Sequence, residues 1–322
     1  MLFFIVNTIN TNHIQNTVSP KYPYATLKND ALEVTILLPD KDKGYYRGVR
    51  FDWSGIIAQV TYDHHTYFKN LEDNDFEYPN TSHDPTNPGL ATGTAEEFRD
   101  PLGYDEAKIG EPFVKVGVGV LEKLTNDPYH WDYRYKLIKS AEWEIEHHKD
   151  SIRFTQKLST DFGYAYEYTK TIILNPDAPE ITVSHSLKNT GSKTIETNPY
   201  CHNYFKFDND AIGSHYKLSF PNSIEPESDF GSKAYFTQNE LKIKGTLKDS
   251  AVVQGSIKTK DAKTFTLFNS KSKTTTLVSY DVAPGFFYLY AWKIAYCPEP
   301  MVFIDISRGE SFNWSFSYEF KK

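Results

Sequence analysis

The chain has 322 residues, a formal net charge of −7 and 16% aromatic residues, which is enough to bury a large core and excludes a disordered chain. The acidic balance repels phosphate backbones and no long basic stripe is visible, so nucleic acid is not an expected partner. The apolar start MLFFIV is far shorter than the ~18 residues that span a bilayer and follows no basic segment, so neither a membrane span nor a signal peptide is expected.

The 23 Tyr and 22 Phe, many in short alternating runs, favour sheet over helix because flat side chains pack well on a pleated surface. Residues 1–20 turn Asn- and Thr-rich after the first apolar residues and end at Pro20, as a tail or an edge strand would. From Ala31 onward ALEVTILLP, GIIAQVTY, FVKVGVGVL, SIRFTQKLST, GYAYEYTKTIIL and EITVSHSLKN each alternate or run apolar between Gly, Asp, Asn and Pro clusters. HYKLSF, TFTLFN, TTTLVSY, FFYLYAW, MVFIDI and FNWSFSYEF continue the series. No helical stripe of about twelve residues interrupts it. The expected fold is therefore mainly β, with residues 21–322 in one large antiparallel β-sandwich and no hinge or repeat. The least regular stretch, 71–110, is polar and broken by Pro and Gly. Loops of that length are usually functional or disordered, which makes it a candidate cover for a site.

Several chemistries have no support. KVGVGVL carries Gly117 and Gly119 but lacks the third glycine and the helix of a dinucleotide fingerprint, and neither a phosphate-binding GxxxxGK[ST] nor a GxSxG elbow occurs. Cys201 and Cys297 give no disulfide framework and no CxxC spacing; two lone thiols fit a reducing, cytoplasmic compartment. His64 and His65 follow Asp63, but consecutive strand residues point to opposite faces, so a solvated turn is preferred to metal ligation. Asn80-Thr81-Ser82 and Asn313-Trp314-Ser315 match a glycosylation triplet that arises often by chance. No metal and no organic cofactor is expected.

TNPYCHNYFKFDND, residues 197–210, places a histidine among aromatic rings. Alternation puts His202, Tyr204, Lys206 and Asp208 on one face and Cys201, Phe205 and Phe207 on the other, with Asn203 breaking the apolar side. Histidine is the side chain that changes charge near neutral pH, and a rigid aromatic-walled strand fixes its orientation for proton transfer. A histidine satisfied by a hydrogen bond in the core is the alternative. Near the C-terminus, AYCPEPMVFIDISRGESFNWSFSYEF sets Glu299 between Pro298 and Pro300. The prolines stiffen the backbone and remove two donors, holding the carboxylate at the mouth of a strand MVFIDI. Rigid placement suits a catalytic base; a solvent-facing turn glutamate is the other reading.

HNYFKFD resembles the His-x-Tyr-Phe element of the aldose 1-epimerase (galactose mutarotase-like) superfamily. CPEPMVFIDISRGESFNWSFSYEF resembles that family's glutamate strand, Gly-Glu turn and final aromatic strand, and GYYRGVRFDWSG is an early third match. The three occur in the family's order and, with the strand count, span most of residues 31–320. The resemblance implies a β-supersandwich with a monosaccharide or sugar derivative in an open cleft. His202 would protonate the ring oxygen, and Glu299 would take the proton of the anomeric hydroxyl from another side of the sugar, across a gap about one pyranose wide. The ring opens, the aldehyde carbon rotates, and closure gives either anomer. A non-catalytic carbohydrate-binding protein of the same fold is the alternative, and a sandwich domain of a lyase or hydrolase the third reading.

The Leu-His-Gly-Gly element of galactose-type members is absent, and the neighbours of His130 in DPYHWDY do not match it. GTAEEF and KVGVGVL stand in the corresponding region, so Glu96, Glu97 and Lys115 are candidates for the missing sugar contacts, charged partners making the stronger hydrogen bonds to hydroxyls. Solvated strand ends are the alternative for all three. Arg47 and Arg50 are candidates for a two-pronged grip on the sugar or on a phosphate or uronate group, with surface ion pairs as the alternative. Tyr204 is a candidate for the cleft, Trp53 and Trp292 for stacking on a sugar face with an ordinary core tryptophan the preferred alternative for either, and Asp281 for a hydroxyl contact or a turn. Tyr164, Tyr166 and Tyr168 share a face with Lys170 and either line the cleft or brace the sheet.

Overall fold

The computed structural model describes residues 22–69, 93–131 and 133–322. The expected tail, 1–20, and residues 71–92 of the irregular stretch lie outside the described residues. Alternation builds the larger of two main sheets. In Ala165–Leu174 and Glu180–Asn189 every second side chain is buried, and the register Tyr168↔Leu187 and Ile172↔Val183 keeps the buried faces together. These two strands belong to an antiparallel sheet of ten, which runs from Ala234–Phe236 at one edge to Trp143–His147 at the other. A second sheet has six strands in the order Ile224–Pro226, Val253–Thr259, Phe286–Ala291, Tyr296–Met301, Pro199–Tyr204 and Gly93–Phe98.

The two sheets share one apolar core. Leu267, Val278 and Tyr318 from the larger pack in the same cluster as Val253, Leu289 and Tyr296 from the smaller. Each such side chain contributes about 1.5–3 kcal/mol on leaving water. The architecture is the large antiparallel β-sandwich expected from the strand series. Among the described residues the one helical element is a 3₁₀ turn, Phe207–Asn209, and no helix is long and apolar enough to cross a membrane.

Three local expectations are corrected. FVKVGVGVL is a hairpin, Pro112–Lys115 with Gly119–Glu122. Gly117 turns it at φ +80°, where an added Cβ would come within 2.8 Å of Asp52, so only glycine fits. GTAEEF is a fully buried strand, Gly93–Phe98, within the stretch read as irregular. MVFIDI is split: Met301 ends one strand and Ile304–Ile306 forms another.

Candidate active site

The His202 strand, Pro199–Tyr204, lies between the Gly93–Phe98 and Tyr296–Met301 strands. Its register pairs Tyr200 with Glu97 on one side and Tyr200 with Met301 on the other. Two residues further along, antiparallel pairing carries His202 to the level of Glu299. Tyr200, His202 and Tyr204 share the face that carries Glu97 and Glu299, and all five line one cleft of about 1030 Å³. The alternation expected to continue through Lys206 and Asp208 stops at Tyr204, because the chain turns. Asp208 adopts φ +49°, and its carboxylate accepts from the Thr66 amide (3.0 Å) and meets His65 Nδ1 (2.6 Å).

Prolines 298 and 300 sit in a central strand, opposite Leu289 and Phe287, where each lacks the N–H a ladder would use. Side chains fill part of that gap. Asn203 Nδ2 donates to the Pro298 carbonyl at 2.7 Å, and its Oδ1 accepts from Tyr318 Oη at 2.5 Å. Asn203, the one polar residue on the apolar side of the strand, is thus the fastening between the histidine and glutamate strands.

His202 Nδ1 and Glu299 Oε1 are 2.8 Å apart. They are not aligned as donor and acceptor, and neither atom makes a hydrogen bond among the described residues. The expected gap of one pyranose width is therefore absent: acid and base candidates touch, because they occupy facing positions on adjacent strands. The imidazole is walled by Tyr200, Tyr204 and Phe51, with ring centroids 4.9, 5.7 and 5.2 Å away.

Arg50 closes the inner end of the site. Tyr46 Oη accepts from the Arg50 and Phe51 amides, both at 2.9 Å, and so pins the loop that carries the guanidinium. Arg50 Nε donates to Glu97 Oε2 (2.6 Å), and Nη2 reaches Tyr200 Oη (3.1 Å) and His202 Nε2 (2.9 Å). The guanidinium is sandwiched between the rings of Phe51 and Trp131, 4.6 and 4.1 Å from its carbon. Tyr200 donates its own proton to Glu97 Oε2 at 2.6 Å; burial, with Glu97 beside it, pushes that phenol well above its usual range.

Glu97 is fully buried. Burial alone would raise its pKa, but Lys115, Arg50 and the Tyr200 hydrogen bond outweigh burial and hold the carboxyl well below the usual range. Lys115 lies behind it, also fully buried. Its Nζ donates to Glu97 Oε1 (3.0 Å), the Arg99 carbonyl (3.2 Å) and Tyr129 Oη (2.7 Å). Burial pulls the lysine below its ordinary value although Glu97 opposes the shift.

Of the residues expected to contact sugar, Arg50, Glu97, Tyr204 and Trp292 line the cleft. Lys115 does not: its ammonium is spent on Glu97 and two oxygens behind the wall. Asp281 does not either. Its carboxylate accepts from the Ser315 amide and hydroxyl, both at 2.8 Å, and from the Val282 amide at 2.7 Å, as a turn aspartate does. Arg47 donates to the Asp42 carbonyl (2.8 Å), and Trp53 Nε1 to the Gly48 carbonyl from within the core (2.7 Å). Glu96 points to the opposite face of its strand, against Lys170 at 2.5 Å and His185 at 3.3 Å. Tyr164, Tyr166 and Tyr168 are buried with the larger sheet and brace it. His130 does line the cleft, and so do Trp131, Tyr200, Tyr288 and Tyr290, which no sequence motif marks. Tyr200 was readable two positions before His202 on the same face, and Tyr288 and Tyr290 alternate with Trp292 in FFYLYAW. Among the described residues no three His, Cys, Asp or Glu side chains converge as metal ligands.

No family model and no curated protein matches the sequence. Solved structures match over nearly the whole chain. A galactose mutarotase-like protein from Clostridium acetobutylicum superposes with a TM-score of 0.59 at 12% identity, covering 94% of this chain and 96% of that one. The GalM/aldose epimerase homologue from C. elegans gives 0.54 at 13% identity, covering 93% and 99%. Galactose 1-epimerase from Lactobacillus acidophilus gives 0.51 at 11% identity, covering 92% and 94%. At these identities the likeness is one of fold, and it reaches over nearly the whole of both chains. The chain has the galactose mutarotase-like fold.

Proposed function

We propose that the protein is an aldose 1-epimerase-like isomerase that interconverts the anomers of a free aldose. The contact between His202 and Glu299 inside an open aromatic cleft carries this reading. Ring opening moves one proton off the anomeric hydroxyl and one onto the ring oxygen. Both oxygens are bonded to the same carbon, so they lie closer together than atoms in van der Waals contact. An acid and a base that touch suit that pair better than two groups a ring width apart. His202 Nδ1 gives its proton to the ring oxygen, Glu299 takes the hydroxyl proton and returns it to Nδ1, 2.8 Å away, so the imidazole ends neutral, and the bond from the anomeric carbon to the ring oxygen breaks. Rotation of the aldehyde and the reverse transfers close either anomer. Tyr288, Tyr290 and Trp292 offer flat faces with polar edges to the sugar.

The lining favours a neutral sugar. Five carboxylates (Glu97, Asp100, Asp105, Asp249, Glu299) face three permanent cations (Arg50, Arg99, Lys293), and Arg50 is already committed to Glu97 and Tyr200. A phosphate or uronate would enter against that balance. Polarimetry on a panel of aldoses, sugar phosphates and uronates tests the reading. At least one neutral aldose reaches anomeric equilibrium faster, and His202→Ala and Glu299→Gln each lower the rate on the order of 10²–10⁴-fold in folded protein. Saturable binding with no acceleration of any sugar would instead favour the non-catalytic binding protein.

A further inference from the structure

We propose that Glu97, gripped by Lys115, is a positioning residue that acts through Arg50 to hold His202 as the tautomer protonated at Nδ1. Which atoms can donate decides where the ring proton sits. A guanidinium has five N–H donors and no acceptor. Arg50 Nη2 lies 2.9 Å from His202 Nε2, so Nε2 is the acceptor in that contact and the proton of the neutral ring sits on Nδ1. Tyr200 Oη is also 3.1 Å from Nε2, but it donates to Glu97 and accepts from Arg50. The hydroxyl therefore supplies no second proton to the ring.

The guanidinium holds its place because of what stands behind it. Glu97 Oε2 takes Arg50 Nε, and Glu97 Oε1 takes Lys115 Nζ. Each of the three Lys115 donors has its own oxygen, on Glu97, Arg99 and Tyr129. Both oxygens of Glu97 are engaged and the residue is fully buried, so it has nothing to offer a sugar hydroxyl. Its contribution passes to His202 through Arg50. The opposite edge of the ring then faces Glu299, with Nδ1 2.8 Å from Oε1. A carboxylate beside a ring N–H is the favourable pairing, and one beside a ring lone pair is not. The Nδ1 contact is not aligned as a hydrogen bond, so the Arg50 donor at Nε2 is what fixes the tautomer.

The consequence for turnover rests on His202 being the proton donor of the proposed reaction; the tautomer itself does not. Two-bond ¹H–¹⁵N correlation spectra of the unliganded protein report which ring nitrogen of His202 carries hydrogen. The wild type shows hydrogen on Nδ1. Glu97→Leu removes the acceptor that holds Arg50. Glu97→Leu with Lys115→Met also removes the orphaned ammonium and keeps the test open if the single variant fails to fold. In the double variant hydrogen appears on Nε2, and kcat for anomer exchange falls about 10–100-fold while KM moves by less than about threefold. Hydrogen on Nε2 in the wild type overturns the proposal, and so does a double variant that keeps the wild-type tautomer. A silent sugar panel with Nδ1 protonated would overturn the proposed activity and leave the positioning role standing.

Discussion

Glu96 and Glu97 are neighbours on one strand, both buried, yet they sit in opposite electrostatic worlds. Glu97 faces the cleft with two cations and a phenol on its oxygens, and its carboxyl is held well below the usual range. Glu96 faces the interior between the sheets. Burial raises its pKa, and Lys170, its one cation, does not offset that. Lys170 is shared: its Nζ also donates to the Ser54 carbonyl at 2.9 Å and lies 3.5 Å from Asp52. His185, stacked on Trp314 with ring centroids 4.6 Å apart, is pushed well below its usual range by burial and by Lys170. The number of donors that reach a carboxylate, and not its depth alone, sets the direction in which its pKa moves. The inner cluster is closed and braces the sandwich; the outer one ends on a histidine that opens to the cleft.

The largest test of this contrast is stability. Glu97→Leu strands two buried cations and is expected to cost about 3–5 kcal/mol, as for any buried pair broken from one side. Glu96→Leu leaves Lys170 with Asp52 and Ser54 and is expected to cost less, about 1–3 kcal/mol. Chemical denaturation of the two variants checks the order, and equal losses would remove the distinction.

Acid titration sharpens it by sign. The depressed Glu97 contributes stability that is full above pH 4.5 and is lost as pH falls below it. The raised Glu96 contributes in the other sense: its share is present below pH 4.5 and is lost as pH rises through its raised value. Unfolding free energies measured against pH should therefore show the gap between wild type and Glu97→Leu closing in acid. The gap between wild type and Glu96→Leu should move the opposite way. Parallel slopes would mean that both glutamates sit in one environment.

The smallest expected effect is at Asp281. Its carboxylate serves Ser315 and its own turn, so Asp281→Ala should leave anomer exchange unchanged within about twofold and cost about 1 kcal/mol of stability. A loss of activity comparable to that of Trp292→Ala would return Asp281 to the cleft.

The same contrast marks what the sequence made legible. Period-two alternation and turn residues located most strands, and the aromatic histidine strand and the proline-flanked glutamate pointed to one site. Arg50, Glu97, Tyr204 and Trp292 line its cleft. Lys115 lies outside it, because a side chain's partners come from register between strands far apart in the chain, which no local pattern encodes, and Asp281 follows its turn reading. Asn203 looked like a flaw for the same reason: its partners, Pro298 and Tyr318, are remote. The separation of His202 and Glu299 is smaller than a sugar's width because the two lie at facing positions on adjacent strands, a register that local sequence does not encode. Gly117 is required by its positive φ and by Asp52, a neighbour from another segment that no local pattern reveals.

The central claim is that His202 and Glu299 act as one unit on a sugar. A double-mutant cycle on anomer exchange, read by magnetisation transfer between the anomeric protons of the best aldose in the panel, tests it most directly. If the two side chains work together, His202→Ala with Glu299→Gln should be no slower than the worse single variant. Losses that multiply across the two sites, or singles that exchange anomers as fast as wild type, would contradict it.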